Sequence, residues 1–309
     1  MKRNLLNFAS VSADRYRQLR LRIQDESRLG YLLVSPAFLF LLLLLAYPLV
    51  LAIYLSLTDK RFGAVPNFVG LQNYINLAQT PRFWSAVQAS LVYTIAALIF
   101  KFVGGLAVAL LINRAFVGRR LVRAVLLLPW IVQTVFSSLA WLWMLDPAFG
   151  IINVALKRWG LIQTNIPFLI NPTLAMACLV AANVWRGVPF FAITFLAGLQ
   201  TVPDELIDAA KIDGASSWRT LLSITLPMIM PVVVIVMLIS TIGTIADFEL
   251  PFILTRGGPG TATQVFGIMT YNLSIESGLY GLGTAVSMAM FPFLALLVVL
   301  SLVRLRRED

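Results

Sequence analysis

The sequence predicts an all-α membrane protein with six transmembrane helices and both termini in the cytoplasm. Two properties lead to that fold class. Of the 309 residues, 59% are apolar and only 12% are charged, whereas about a quarter of the residues in a soluble domain are charged. The apolar residues also form six long runs, and a helix of about 20 such residues crosses the hydrocarbon core of a bilayer.

The six runs follow one another along the chain, and nothing between them is long enough for a separate soluble domain. They lie near residues 31–57, 86–113, 124–145, 171–198, 223–247 and 281–303. The predicted organisation is a cytoplasmic segment over 1–30, a six-span domain over 31–303 with a cytoplasmic loop at 199–222, and a cytoplasmic tail over 304–309. Residues 14–28 suit either a helix along the inner membrane surface or a basic tail without fixed structure.

The basic residues determine the orientation. Sixteen lysines and arginines fall in the predicted cytoplasmic segments and six fall in the outer ones. Because cytoplasmic loops carry the excess of positive charge, this bias places the 199–222 loop in the cytoplasm. The net charge of +10 is therefore interpreted as topology and contact with anionic lipid headgroups. Nucleic-acid binding is not expected, since the basic residues are scattered over several loops.

The composition excludes several kinds of chemistry. The chain contains no histidine and a single cysteine, Cys178, so zinc and iron sites are not expected. It also has no G-x4-G-K-[ST] segment, so any ATP that drives this protein must bind to another polypeptide. Proton-coupled carriers need buried carboxylates along their path. Here only Asp247 and Glu249 lie near the end of an apolar run.

The 199–222 loop predicts a short helix over residues 203–214. Pro203 suits its first turn, and the carboxylates of Asp204 and Glu205 suit the positive end of its dipole. Gly214 supplies the stop, because glycine tolerates the left-handed conformation that commonly follows a helix.

Two alanines, Ala209 and Ala210, give this predicted helix a nearly flat patch that a partner could approach closely. Ser216 or Ser217 can cap the next helix, which enters the bilayer. A small helix of this kind at a membrane face suits the transmission of force from a soluble partner.

The same loop closely resembles the EAA loop of ABC importer permeases, written E-A-A-x3-G-x9-I-x-L-P. The matching residues are Asp208-Ala209-Ala210, then Gly214, then Ile224-x-Leu226-Pro227. Aspartate replaces glutamate at the first position, which keeps the charge but shortens the reach of any salt bridge made there. By this resemblance, Asp208, Ala209, Ala210 and Gly214 are expected to couple the chain to an ATPase.

Three further segments are similar to the carbohydrate branch of these permeases, which includes maltose-type and glycerol-3-phosphate-type members. They are Leu254-Thr255-Arg256-Gly257-Gly258-Pro259 with Thr263, Gly70-Leu71-x-Asn73-Tyr74, and Trp185-Arg186-Gly187-x-Pro189. The first is expected to form a tight outer turn against which a binding protein could press. The resemblance covers residues 31–303 and implies the type I ABC importer permease fold. The chain lacks the large periplasmic insertion and the two extra N-terminal spans of some maltose permeases.

Five polar residues inside the apolar runs are candidates for the lining of a transport path. Lys101 and Arg186 lie deep in the second and fourth runs, where a charge must face a cavity, a partner helix or a counter-charge. Ser240, Thr244 and Asp247 are spaced to share one face of the fifth helix. For all five, a contact that only holds helices together remains an equal alternative.

The resemblance implies a permease subunit that forms half of the transmembrane path for a sugar or sugar-like solute in a bacterial inner membrane. The implied partners are a second homologous permease, two ABC ATPase subunits that hold ATP and Mg²⁺, and an extracytoplasmic solute-binding protein. No cofactor and no catalytic residue are expected in this chain. The alternatives are an ABC permease for a non-sugar solute such as a polyamine, a secondary carrier or channel, and a membrane scaffold.

Overall fold

The computed structural model describes residues 26–305. Residues 14–25 of the predicted N-terminal surface helix and residues 306–309 of the predicted tail lie outside this range. The chain divides into two units, residues 1–54 and residues 55–309. The described part of the first unit is a single long apolar helix, and the remaining helices belong to the second unit.

The described residues are almost entirely helical, and the one β-type pairing among them is an isolated antiparallel bridge between Thr58 and Phe68. The helices are α1 Glu26–Ser56, α2 Gln72–Gln79, α3 Pro81–Asn113, α4 Arg119–Leu126, α5 Leu128–Ile131, α6 Thr134–Met144, α7 Ile151–Arg158, α8 Pro172–Leu199, α9 Asp204–Ile212, α10 Ser217–Thr220, α11 Leu226–Met228, α12 Met230–Ile245, α13 Glu249–Leu254, α14 Phe266–Tyr271 and α15 Tyr280–Leu305. Two short stretches with wider i→i+5 turns join α10 to α11 and extend α14. The predicted all-α class is confirmed.

Four helices are long and apolar enough to cross a membrane over Leu29–Ser56, Pro81–Asn113, Pro172–Leu199 and Tyr280–Ser301. Two bent helix pairs bring the number of candidate spans to six, if each pair forms one span. The positions of all six agree with the predicted runs. The third and fifth runs are each divided into two helical halves that meet at an angle.

The third run is broken after α5. Pro129 has no N–H group to donate to the carbonyl of Val125, and this missing hydrogen bond ends α4. Beyond α5, the backbone of Val132 and Gln133 is extended. The two halves, Arg119–Ile131 and Thr134–Met144, meet at 90°. The tertiary contacts of Trp130 and Thr134 with α8, described below, hold the two sides of the break in place.

The fifth run bends at Ile229, between Pro227 and Pro231, and its two halves, Ser217–Met228 and Met230–Ile245, meet at 73°. Neither proline can donate the backbone hydrogen bond that would continue the helix. The second half of the pair, α12, ends at Ile245, so Asp247 lies in the connection to α13. The prediction that Asp247 shares a helical face with Ser240 and Thr244 is therefore wrong, although all three approach the same space.

Helices α3 and α8 form the closely packed centre of the second unit. Added side-chain carbons at Gly104 and Gly105 would press on Val188 and Phe191 of α8, and one at Gly187 would overlap Lys101 of α3. Small residues let membrane helices approach this closely. These three glycines therefore allow the close packing of α3 on α8. Pro189 lies within α8 without interrupting it.

The connections on the predicted outer side contain specific polar contacts. The amide of Asn73 donates to the carbonyls of Ser56 and Thr58, which explains one of the segments singled out in the sequence. In the Leu254–Pro259 loop, Arg256 and Gly257 adopt positive φ angles of 50° and 86°. The buried hydroxyl of Thr263 donates to the carbonyl of Gly258 at 2.7 Å. The predicted tight turn is confirmed.

Candidate functional site

A cavity of about 600 Å³ lies among α3, α5, α6, α8 and α12, and we call it the central cavity. It is lined by all five residues predicted to face a transport path: Lys101, Arg186, Ser240, Thr244 and Asp247. Its remaining lining includes the aromatic rings of Trp130, Phe190 and Phe248 and the carboxylate of Glu249. The cavity therefore combines charged groups, hydroxyl groups and flat apolar surfaces.

Lys101 crosses from α3 to α12 at one wall of the central cavity. Its side chain is buried, and its ammonium donates to Ser240 Oγ at 2.8 Å and to Thr244 Oγ1 at 2.9 Å. The aliphatic stem lies against Gly187, where any larger residue would overlap it. Two hydroxyl groups on one helix thus satisfy a cation that reaches them from another helix.

Arg186 lies on α8 and donates a hydrogen bond to the hydroxyl of Thr134, the first residue of α6. Beside this contact, the ring of Trp130 stacks on Phe190, with centroids 5.9 Å apart and an interplanar angle of 17°. These two contacts join α8 to both sides of the break between α5 and α6. The broken third run therefore contributes a polar group and an aromatic face to the cavity.

Asp247 binds two residues that the sequence analysis did not single out. Its Oδ2 accepts hydrogen bonds from the Tyr93 hydroxyl at 2.7 Å and from Asn183 Nδ2 at 3.2 Å. Asn183 Nδ2 also donates to the Tyr93 oxygen at 2.7 Å, while the buried Asn183 Oδ1 has no hydrogen-bond partner in the described part of the chain. Asn183 precedes Arg186 by three residues, so the two lie on the same helical face. This spacing is the one signal by which Asn183 could have been predicted from the sequence.

The charges that line the central cavity balance. Lys101 and Arg186 supply two positive charges, and Asp247 and Glu249 supply two negative ones. Hydroxyl and amide groups, together with one acceptor without a partner, surround them. Such a lining suits a solute that forms several hydrogen bonds with its site through uncharged groups.

The predicted docking helix is α9, Asp204–Ile212, and its boundaries follow the predicted chemistry. Pro203 precedes the helix instead of forming its first turn, which corrects the prediction by one residue. Gly214 has φ +75°, and the amides of Gly214 and Ala215 bond back to the carbonyls of Lys211 and Ala210. This pattern is a Schellman cap, so the predicted glycine stop is confirmed. Ser216 caps the following helix by accepting from the amide of Arg219.

The two alanines of α9 have different surroundings. Ala209 is exposed, whereas Ala210 is only 6% exposed and faces the chain itself. Val202 and Ile207 lie on the same inner side, in an apolar cluster with Leu199 of α8 and Ile229 at the start of α12. The expectation that both alanines form a free outer patch is therefore wrong for Ala210, because the helix turns that face toward the spans.

The outer side of α9 carries an exposed charge pair. Lys211 Nζ lies 2.8 Å from Asp208 Oδ1, one helical turn away. The hydrogen bond that Lys211 donates to Asp208 raises the pKa of Lys211 above its ordinary value. Asp208 therefore lies on the exposed side with Ala209, and its carboxylate is shared with a neighbouring lysine.

Residues 101–306 match the family described as "Binding-protein-dependent transport system inner membrane component". The chain belongs to this family. It is therefore a multi-pass membrane component of a transport system that depends on a solute-binding protein, and the carrier, channel and scaffold hypotheses are set aside.

Curated relatives align along nearly the whole chain. The trehalose/maltose transport system permease protein MalF of Thermococcus litoralis is 34% identical, over 92% of this chain and 96% of that protein. The trehalose transport system permease protein SugA of Mycobacterium tuberculosis is also 34% identical, over 88% and 87%. The sulfoquinovosyl glycerol transport system permease protein SmoG of Agrobacterium fabrum is 32% identical, over 85% of each chain.

Solved structures confirm the fold. A chain of a bacterial ABC transporter involved in the import of the acidic polysaccharide alginate has a TM-score of 0.78 at 23% identity, covering 94% of this chain and 99% of that one. A chain of the MetNI methionine ABC transporter in an inward-facing conformation has a TM-score of 0.52 at 18% identity and covers 75% of this chain. The predicted fold of an ABC importer permease is therefore confirmed.

Proposed function

We propose that this chain is a permease subunit of an ATP-driven ABC importer for a sugar or sugar-like solute. The observation that carries the proposal is the pairing of the central cavity with α9. The polar and aromatic central cavity is lined by α3, α8 and α12 together with the broken third run. An exposed helix with the spacing of the EAA loop lies at one end of α8 and α12. The transport systems named for MalF, SugA and SmoG support a sugar as the solute class.

The proposed assembly contains four kinds of partner or surrounding. A second homologous permease completes the path, two ABC ATPase subunits bind ATP and Mg²⁺, and a solute-binding protein delivers the solute from outside. The lipid of a bacterial inner membrane surrounds the spans. This chain holds no cofactor of its own, because the nucleotide and its metal belong to the ATPase subunits.

In the central cavity, the proposed role of the polar residues is to bind solute hydroxyl groups. Asn183 Oδ1 offers a buried acceptor, and the Lys101 ammonium lies among the hydroxyls of Ser240 and Thr244. The stacked Trp130 and Phe190 offer an apolar face that suits the C–H surface of a sugar ring. Each hydrogen bond contributes about 0.5–1.5 kcal/mol. This is enough to bind a solute weakly, and a transport site must also release it.

The proposed coupling uses the two sides of α9. Asp208 and Ala209 lie on the exposed side, available to an ATPase, while Ala210 faces inward beside Ile207 and the ends of α8 and α12. A displacement of α9 would therefore reach two helices that line the central cavity. Alternating access then requires only that the solute and ATP favour different arrangements of the same packed helices.

The test is ATP hydrolysis by the complete complex in proteoliposomes, with its binding protein present. A panel of trehalose, maltose, a sugar acid and the polyamine putrescine separates the solute classes. We expect at least one sugar to stimulate hydrolysis and to accumulate inside the vesicles, with putrescine inactive. Stimulation by putrescine alone would contradict the sugar assignment. Solute uptake without any need for ATP would contradict the importer assignment itself.

A further inference from the structure

The short helix α4, Arg119–Leu126, has two distinct faces. Arg119, Arg120 and Arg123 occupy one side, since residues three and four apart lie together on a helix. Leu121, Val122 and Val125 occupy the other side, and all three are exposed. Exposed aliphatic residues opposite a row of arginines are typical of helices that lie in a membrane interface.

The contacts of α4 place it where a span ends. Arg123 Nη2 donates to the carbonyl of Ile112 at 3.1 Å, in the last turn of α3. At the other end, Leu126 packs on the apolar cluster that also holds Val202 and Ile207 of the 199–222 loop. The helix therefore lies at the same end of the bundle as α9, the predicted cytoplasmic side.

The connection before α4 forms a concave site beside two of the arginines. A cavity of about 400 Å³ is lined by Ala115, Phe116, Gly118, Arg119 and Arg120. No acidic residue occurs in the sequence between Asp59 and Asp146, so the segment that carries these arginines holds no carboxylate of its own. Guanidinium groups bind phosphate oxygens in a bidentate manner, and this geometry favours a phosphate group over a monatomic anion.

We propose that Arg119 and Arg120 bind the phosphodiester of an anionic phospholipid in the cytoplasmic leaflet. Leu121 and Val125 would contact the acyl chains of the same lipid layer. A lipid supplies both the anionic headgroup and the apolar surface that the two faces of α4 require. An acidic surface of an ATPase subunit would satisfy the arginines but would leave the aliphatic face in water.

The experiment measures phospholipid retention by the full-length chain in native mass spectrometry, from equal mixtures of phosphatidylglycerol and phosphatidylcholine. The test variant is Arg119→Gln/Arg120→Gln. The matched control is Lys157→Gln/Arg158→Gln, which removes two adjacent basic residues from α7, another eight-residue helix. An arginine near an anionic membrane surface contributes about fivefold in affinity. We therefore expect the test variant to lose roughly 25-fold in phosphatidylglycerol preference, while the control keeps that preference.

A charge-conserving variant, Arg119→Lys/Arg120→Lys, is expected to show an intermediate preference for phosphatidylglycerol, because lysine keeps the positive charge but loses the bidentate geometry. This variant separates loss of charge from loss of folding. Unchanged retention in the glutamine variant would overturn the proposal. So would displacement of the lipid by millimolar inorganic phosphate, because the site would then bind free anions. Retained lipid with lost co-purification of the ATPase subunits would identify the arginines as a protein interface instead.

Discussion

The side chain of Lys101 occupies the space that a side chain at Gly187 would need. A methyl group on Gly187 would overlap the stem carbons of Lys101, and the ammonium beyond them binds Ser240 and Thr244. A glycine on α8 thus determines where a cation of α3 meets the hydroxyls of α12. Three helices that line the central cavity meet at this one crossing.

Gly187→Ala is expected to displace Lys101 and to lower solute uptake. Overpacking of this kind costs about 1–3 kcal/mol, so the variant should still insert and assemble. Gly243→Ala is the matched control, because it also adds one methyl group to a glycine that lines the cavity but meets nothing within 4 Å. The measurement is uptake into proteoliposomes at equal protein content. Equal uptake by both variants would show that the position of Lys101 is unimportant.

The two alanines of α9 are expected to differ when enlarged. Ala209→Leu adds bulk on the exposed side, so it should leave the thermal stability of the chain unchanged and weaken co-purification of the ATPase subunits. Ala210→Leu adds bulk on the buried side and should destabilise the chain by about 1–3 kcal/mol. If Ala209→Leu binds the ATPase normally and supports full uptake, the exposed side of α9 is not the docking surface.

Gly214 is expected to tolerate asparagine but not valine. A side chain there meets nothing within 4 Å, so the obstacle is the φ angle of +75° alone. Left-handed backbone costs a β-branched residue more than about 1–2 kcal/mol, whereas asparagine adopts it readily. Gly214→Val should therefore reduce uptake at normal expression, and Gly214→Asn should retain most of it. Full activity of the valine variant would contradict a requirement for this cap in coupling.

The topology can be tested with two exposed serines. In a Cys178→Ala background, Ser216→Cys and Ser277→Cys should react with membrane-impermeant thiol reagents from opposite sides, the first from the cytoplasm and the second from outside. Both serines are exposed, so neither requires a structural change in order to react. Labelling of both from the same side would contradict six spans in the predicted orientation.

The sequence predicted the features that depend on local chemistry. The ends of α9 follow from its acidic first turn and Gly214, because caps act within a few residues. Lys101 and Arg186 were recognisable because charged groups are rare in apolar runs. Ser240, Thr244 and Asp247 were recognisable by their helical spacing. Tyr93 and Asn183 were missed because an aromatic hydroxyl and a single amide do not stand out there without knowledge of Asp247 as their partner.

Other features depend on tertiary packing and were not predictable from one run at a time. The break after α5 is held by contacts of Trp130 and Thr134 with α8, whose residues lie more than fifty positions away. The opposite surroundings of Ala209 and Ala210 depend on how α9 rotates onto the spans. Alanine is equally compatible with either side, so its presence carried no information about that rotation.

Ser240 and Thr244 provide the most direct test of the central cavity as the solute path. Both hydroxyls line the cavity and bind Lys101, so they serve either the solute or this buried cation. Ser240→Ala removes one hydrogen bond of about 0.5–1.5 kcal/mol, which should weaken solute uptake about two- to tenfold. The basal ATPase rate of the complex should be unchanged, since the serine is distant from α9 in the chain.

A bulky residue at the same position separates the two roles. Ser240→Trp would fill part of the cavity and should abolish uptake, while Thr241→Trp, next to it on α12, is the matched control for bulk because Thr241 does not line the cavity. Uptake is measured against ATP hydrolysis in the same vesicles, so that a blocked path appears as hydrolysis without accumulation. If Ser240→Trp transports as well as Thr241→Trp does, the solute passes elsewhere and the hydroxyls of α12 only hold Lys101.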